Sequence, residues 1–250
     1  YYTEDHPEGA LRRFAPRNFT WDEPHSILHG EGSIQYLVLT STSANNATGT
    51  YRWTSDKVEG MATAAEFFPG SEGIDVYEGL LFFVTKKRNM MYTLDLDSDT
   101  WERRSTKHGA FDGSPDQLSR MVGEEEILYY TEVSTVPRKW QRNEALYLFY
   151  FFAHSIRCVL CMSSSKQEGG KNAGIHARDS QGRFFTILES PVYEDESTGL
   201  AFSPDGLHLY VAYQRNGVLL DVWRKDKQPF TTKTLNIKYH NTATGEDGSA

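Results

Sequence analysis

Several signatures are missing from this chain of 250 residues. Cysteine appears only as Cys158 and Cys161, and a lone Cys-x-x-Cys with no second ligand pair is weak evidence for a zinc or redox centre. Positive charge is scarce: 26 Lys and Arg stand against 34 Asp and Glu, a net charge of −8, which argues against nucleic-acid binding through a basic surface. There is no Gly-rich phosphate loop, no Gly-x-Ser-x-Gly elbow and no His-Glu-x-x-His pair. No stretch shows a clear amphipathic helical period. The one long apolar run, residues 145–162, is barely long enough to cross a bilayer and contains His154 and Arg157, so no stable membrane insertion is expected.

What remains is a succession of short, alternating or apolar stretches separated by turn residues. The clearest is Glu196-Ser-Thr-Gly-Leu-Ala-Phe-Ser-Pro-Asp-Gly206 followed by Leu207–Gln214: a strand, a Ser-Pro-Asp-Gly turn and a second strand. Similar units are a strand–loop–strand over residues 1–14 and the hairpin of Tyr36–Leu39 with Gly49–Trp53. Others are the run from Ser71 to Arg104, and Ser114–Met121 with Ile127–Glu132, resumed at Gly174–Arg178 and Arg183–Leu188. Tyr-Tyr-Thr-Glu occurs at both 1–4 and 129–132. Self-similarity at a spacing of roughly 40–50 residues predicts an all-β β-propeller in preference to a β-sandwich. About five blades are expected over residues 1–235, as part of a six-bladed ring, with a flexible tail at 236–250. The chain opens on Tyr1 within a strand-like stretch, which reads as a fragment or a processed form.

Val133–Gln167 interrupts this pattern, being mostly basic and apolar and holding both cysteines. Val133-Ser134 is what the splice-donor consensus GTAAGT encodes in frame, and Lys166-Gln167 fits an acceptor. Excising the segment joins Tyr-Thr-Glu132 to Glu168-Gly-Gly-Lys-Asn-Ala-Gly-Ile-His176 as a hairpin. The insert is therefore read as a retained intron.

The candidate chemistry lies in carboxylates. Glu72, Asp116 and Glu196 each open a predicted inner strand of a separate blade, and Glu132 closes a Tyr-Tyr-Thr-Glu strand, as Glu4 does next to Asp5. Acids converging on one axis suit hard cations such as calcium, ferric iron or manganese, so Glu72, Asp116, Glu132 and Glu196 are the expected metal ligands. His176 and Arg178 lie two apart on one strand face, placed either to meet an anionic substrate or, as the preferred reading for His176, to be satisfied within the strand. Lys86-Lys-Arg88 reads as a solvated turn. Asn18-Phe-Thr20 and Asn46-Ala-Thr48 are glycosylation sequons, consistent with secretion.

Ser71-Glu-Gly-Ile-Asp75, Asp112-Gly-Ser-Pro-Asp-Gln117, Gly174-Ile-His-Ala-Arg-Asp179 and Glu196–Gly206 together resemble the PhoX-like (DUF839) family, most closely its branch from marine microalgae and bacteria. The resemblance covers about residues 1–132 and 168–230; it departs from the family at Gly70, where an arginine is usual. It implies a secreted six-bladed propeller with iron and calcium in its channel, hydrolysing small phosphate monoesters. It also implies that Glu72 matches a metal-ligand glutamate, Glu196 the Glu-x-Thr-Gly acid and Asp116 the Pro-Asp position. Two other functions share the same acids: a calcium-dependent esterase or lactonase, and a non-catalytic calcium-stabilised binding propeller.

Overall fold

A computed structural model describes residues 1–17, 25, 29–133, 173–189, 193, 196–231, 235 and 237–240. Its strands are β1 (Arg12–Pro16), β2 (Gly32–Ser41), β3 (Thr48–Thr54), β4 (Ser71–Tyr77), β5 (Leu80–Thr85), β6 (Met90–Asp95), β7 (Thr100–Ser105), β8 (Ser114–Met121), β9 (Glu124–Val133), β10 (Gly174–Arg178), β11 (Phe184–Glu189), β12 (Ser197–Phe202), β13 (His208–Tyr213) and β14 (Val218–Trp223). They form antiparallel meanders in chain order, the blades of an all-β propeller. β4 to β7 make one blade, β8 to β11 the next and β12 to β14 a third. β1, β2 and β3 form a further unit that joins β7 edge to edge, giving a seven-stranded sheet. The opening strand–loop–strand and the following hairpin thus share one sheet, and residues 1–5 contribute only a bridge from Tyr2 to Arg12.

The inner edge strands β4, β8 and β12 lie side by side. Their approach is close at Gly73, where an added Cβ would meet the Leu118 backbone nitrogen at 2.3 Å, so a side chain is excluded there. Hydrophobic cores fill the spaces between blades. β5 explains how. Leu81 and Phe83 pack with Tyr92 and Phe68 on one face, while Phe82 and Val84 pack with Leu118, Tyr130 and Phe184 of the next blade on the other. A strand buried on both faces needs an unbroken apolar run, and Leu-Leu-Phe-Phe-Val is one. Each such side chain contributes roughly 1.5–3 kcal/mol when fully buried.

One element corrects the sequence reading: α1 (Lys57–Phe67) is an α-helix. Asp56 caps it, its carboxylate accepting from the Val58 N–H at 2.8 Å. Its buried stripe is Gly60, Thr63, Ala64 and Phe67. Gly60 lies against Tyr36, where a Cβ would come within 2.5 Å. The helical period is present, but small and polar residues carry it, and a search for large apolar residues passes over them.

β9 pairs directly with β10, with Thr131 opposite Ile175. The proposed intron falls between them and, apart from Val133, lies outside the described residues, as do Asn18 and the apolar run at 145–162. Among the described residues no helix is long and apolar enough to cross a membrane.

Candidate functional site: an axial acid pocket

The inner strands share a local device. The pairing register shifts between Ser71 and Ile74 in β4, between Pro115 and Leu118 in β8 and between Thr198 and Leu200 in β12. A shift of this kind re-aims side chains out of the regular alternation. Glu72 and Asp116 lie inside two of these irregularities, and Glu196 lies just ahead of the third. All three acids turn into one polar cavity of about 360 Å3. Asp5, Gln117, Thr198 and Gln214 complete its wall, together with Lys86.

Lys86 was not anticipated. It does lie in a turn, but it is not solvated: its ammonium stands 3.0 Å from Glu72 Oε1, 3.0 Å from Glu196 Oε1 and 3.8 Å from Asp5 Oδ2. Its backbone N–H donates to the Gly70 carbonyl at 2.9 Å, which fixes the base of the side chain. The sequence did contain a signal. With the tight turn at Glu78-Gly79 and Tyr77 opposite Leu80, counting back along the hairpin brings the end of β5 to the start of β4. A basic residue at 86 therefore has to lie near Glu72.

Among the described residues the charges do not balance: four carboxylates line the cavity with one ammonium. Burial pushes the Glu72 carboxyl up to about 7; the hydrogen bond from Lys86 opposes the rise, and the Asp116 and Asp5 charges add to it. Burial works against the Lys86 ammonium, but its bonds to Glu72 and Glu196 outweigh this and hold its pKa above the ordinary value. Asp116 is 4% exposed, and its carboxylate accepts no hydrogen bond and makes no ion pair among the described residues. A carboxylate that opens on a cavity with no protein partner is free to meet a cation there.

The wall offers oxygen donors of the kind calcium or ferric iron takes, and among the described residues its lining contains no histidine and no sulfur. As the side chains stand, no group of three or more His, Cys, Asp or Glu among the described residues is set to hold a metal ion. Lys86 sits where two of the donors meet.

Glu132, expected in this set, turns elsewhere. Its Oε1 accepts the N–H groups of Asp112 and Gly113, and its Oε2 accepts that of Gly174 and pairs with His176 Nε2 at 3.0 Å. His176 is fully buried, stacked on Phe111 with ring centres 4.4 Å apart, and its Nδ1 reaches Thr186 Oγ1 at 3.0 Å. Arg178 is half-buried over the turn at Gly182. Neither His176 nor Arg178 lines the axial cavity. A second hollow of about 400 Å3, beside His208, Asp221 and Trp223, gathers no comparable set of acids.

No protein-family model matches the chain, and no curated protein matches it. Among solved structures, a chain in the crystal structure of the mitotic checkpoint complex is similar at 11% identity and a TM-score of 0.40, over 76% of this chain. This chain spans 45% of that chain's length.

Proposed function

We propose that this propeller takes a hard cation, calcium first, in its axial pocket and uses it to act on a small phosphate monoester. The observation that carries the reading is Asp116: a buried, unbonded carboxylate facing a cavity that three other acids share. Asp5, Glu72, Asp116 and Glu196 would hold the ion, with Gln117, Gln214 and Thr198 as neutral oxygen donors. When bound, calcium or ferric iron polarises a phosphoryl oxygen and lowers the pKa of bound water. The same charge logic orders the events: four carboxylates repel an anionic ester, so the ester enters only after the cation. Iron belongs to the reading through the family resemblance, as does secretion. The exposed turn position of Asn46, with φ of 53°, is compatible with glycosylation.

A second reading, a calcium-stabilised propeller that binds without catalysis, is favoured by the makeup of the wall, whose described residues include no histidine and whose one lysine already ties Glu72 to Glu196 across two blades. An esterase or lactonase working through a histidine base is less well supported for the same reason, because His176 is already bonded to Glu132 and Thr186.

The test is metal analysis of the purified chain after dialysis against calcium, alongside hydrolysis of p-nitrophenyl phosphate. Bound calcium and turnover, both lost in Asp116→Asn, support the hydrolase. Bound calcium without turnover selects the binding propeller. Folded protein that retains no metal and turns over no ester ends both readings.

A further inference from the structure

We infer that Lys86 is a tethered competitor for the cation of the axial pocket, so that a metal ion and the Lys86 ammonium hold Glu72 and Glu196 in turn and never together. The inference rests on the cation-site reading above and adds what controls it.

The ammonium reaches from the end of β5 to the oxygens of two acids on separate blades, at 3.0 Å each. A divalent ion drawing on Glu72 and Glu196 needs those same oxygens. Two cations sharing one pair of oxygens stand only a few ångströms apart, where their repulsion in a partly buried site is far stronger than in water. One of them must leave. Lys86 can, since its side chain is 21% exposed and its four-carbon stem is flexible. The lysine has two advantages over a free ion. Its backbone is pinned to Gly70, so its effective concentration at the pocket is high without any free cation. It also bridges β4 to the segment ahead of β12, joining blades that would otherwise repel through their acids. Asp116 stands outside this arrangement: no hydrogen bond or ion pair links it to Lys86 among the described residues, although it lines the cavity. One carboxylate is thus left for an incoming cation to meet before Lys86 moves.

The experiment is calorimetric titration of the full chain with calcium alone, comparing wild type with Lys86→Met and with Lys86→Met/Asp116→Asn. Lys86→Gln serves as a second test of the position should the methionine variant unfold, with folding followed by circular dichroism. Removal of the ammonium is expected to tighten calcium binding by about tenfold or more, and the added Asp116→Asn change to reverse the gain. Binding in Lys86→Met where wild type shows none also supports the inference. Wild type that binds calcium as tightly as Lys86→Met, or more tightly, overturns it and leaves the cation-site reading in place. If neither protein binds calcium, the inference and that reading fall together.

Discussion

One buried acid, Glu132, and the group of acids at the axial pocket behave in opposite ways. Around Glu132 every oxygen is answered: three backbone N–H groups and His176 converge on one carboxylate, and Phe111 seals the imidazole. In the axial pocket Asp5, Glu72 and Glu196 share one ammonium, and the fourth acid, Asp116, has no hydrogen-bond partner among the described residues. The first arrangement is what a buried charge requires in order to be structural. The second leaves Asp116 open to a cavity beside Glu72, whose carboxyl burial pushes up, and such a grouping is a functional-site candidate. Residue type alone does not separate the two; the number of donors that the surrounding backbone brings to each carboxylate does.

The largest expected effect is on the satisfied cluster. Glu132→Ala strands three N–H groups and a buried imidazole, and should cost about 3–5 kcal/mol of stability. Urea unfolding will check this through the midpoint, and a loss below about 1 kcal/mol would remove the structural role given to Glu132.

Next is the seam that supports the pocket. Gly73→Ala drives a Cβ to 2.3 Å from the Leu118 nitrogen. It should destabilise by roughly 1–3 kcal/mol, because backbone at a packed inter-blade seam yields poorly. It should also perturb calcium binding, whereas a wild-type melting temperature in this variant would show that the blades have room to part.

A smaller effect concerns pH. The Glu72 carboxyl is raised to about 7 in the folded protein from an ordinary 4.5. The unfolded chain therefore ionises first, and the stability this group contributes is full below pH 4.5 and lost as pH rises to about 7. Measured without added metal, the melting temperature of wild type relative to Glu72→Gln should fall across that window; a difference that stays flat from about pH 4 to 8 would contradict the assignment.

The smallest effect uses the repeated tetrapeptide. Glu4 ends the same Tyr-Tyr-Thr-Glu sequence as Glu132, yet it is half exposed and, among the described residues, its carboxylate pairs with Arg12 alone, at 2.6 Å. Glu4→Ala should cost no more than about 1 kcal/mol. A cost comparable to that of Glu132→Ala would mean that the motif, not its surroundings, sets the role.

Much of the fold was legible. Leu80–Val84 read as a strand because apolar runs of that length, bounded by turns, are strands, and its burial on both faces gives the reason. The Ser203-Pro-Asp-Gly206 turn was legible from its chemistry: Asp205 accepts from the Leu207 N–H, and Gly206 has a φ of +68°. α1 was not legible, because Gly60, Thr63 and Ala64 conceal its packing face. Of the acids, Glu72, Asp116 and Glu196 were found from their place at the start of inner strands. Glu132 was grouped with them wrongly as far as the cavity is concerned, since nothing in its own strand reveals that Gly113 and Gly174 will aim N–H groups at it.

The sequence by itself determined the strands, their turns, the blade order and the place of three acids at the starts of adjoining inner strands, because these depend on local backbone preference and on periodicity. Tertiary structure decided which acids remain unsatisfied, and it carried Lys86 into their midst. Those outcomes depend on distances between residues as far apart in the chain as Lys86 and Glu196. Electrostatic energy in a partly buried cavity varies with such distances and with the donors nearby, neither of which is written along the chain.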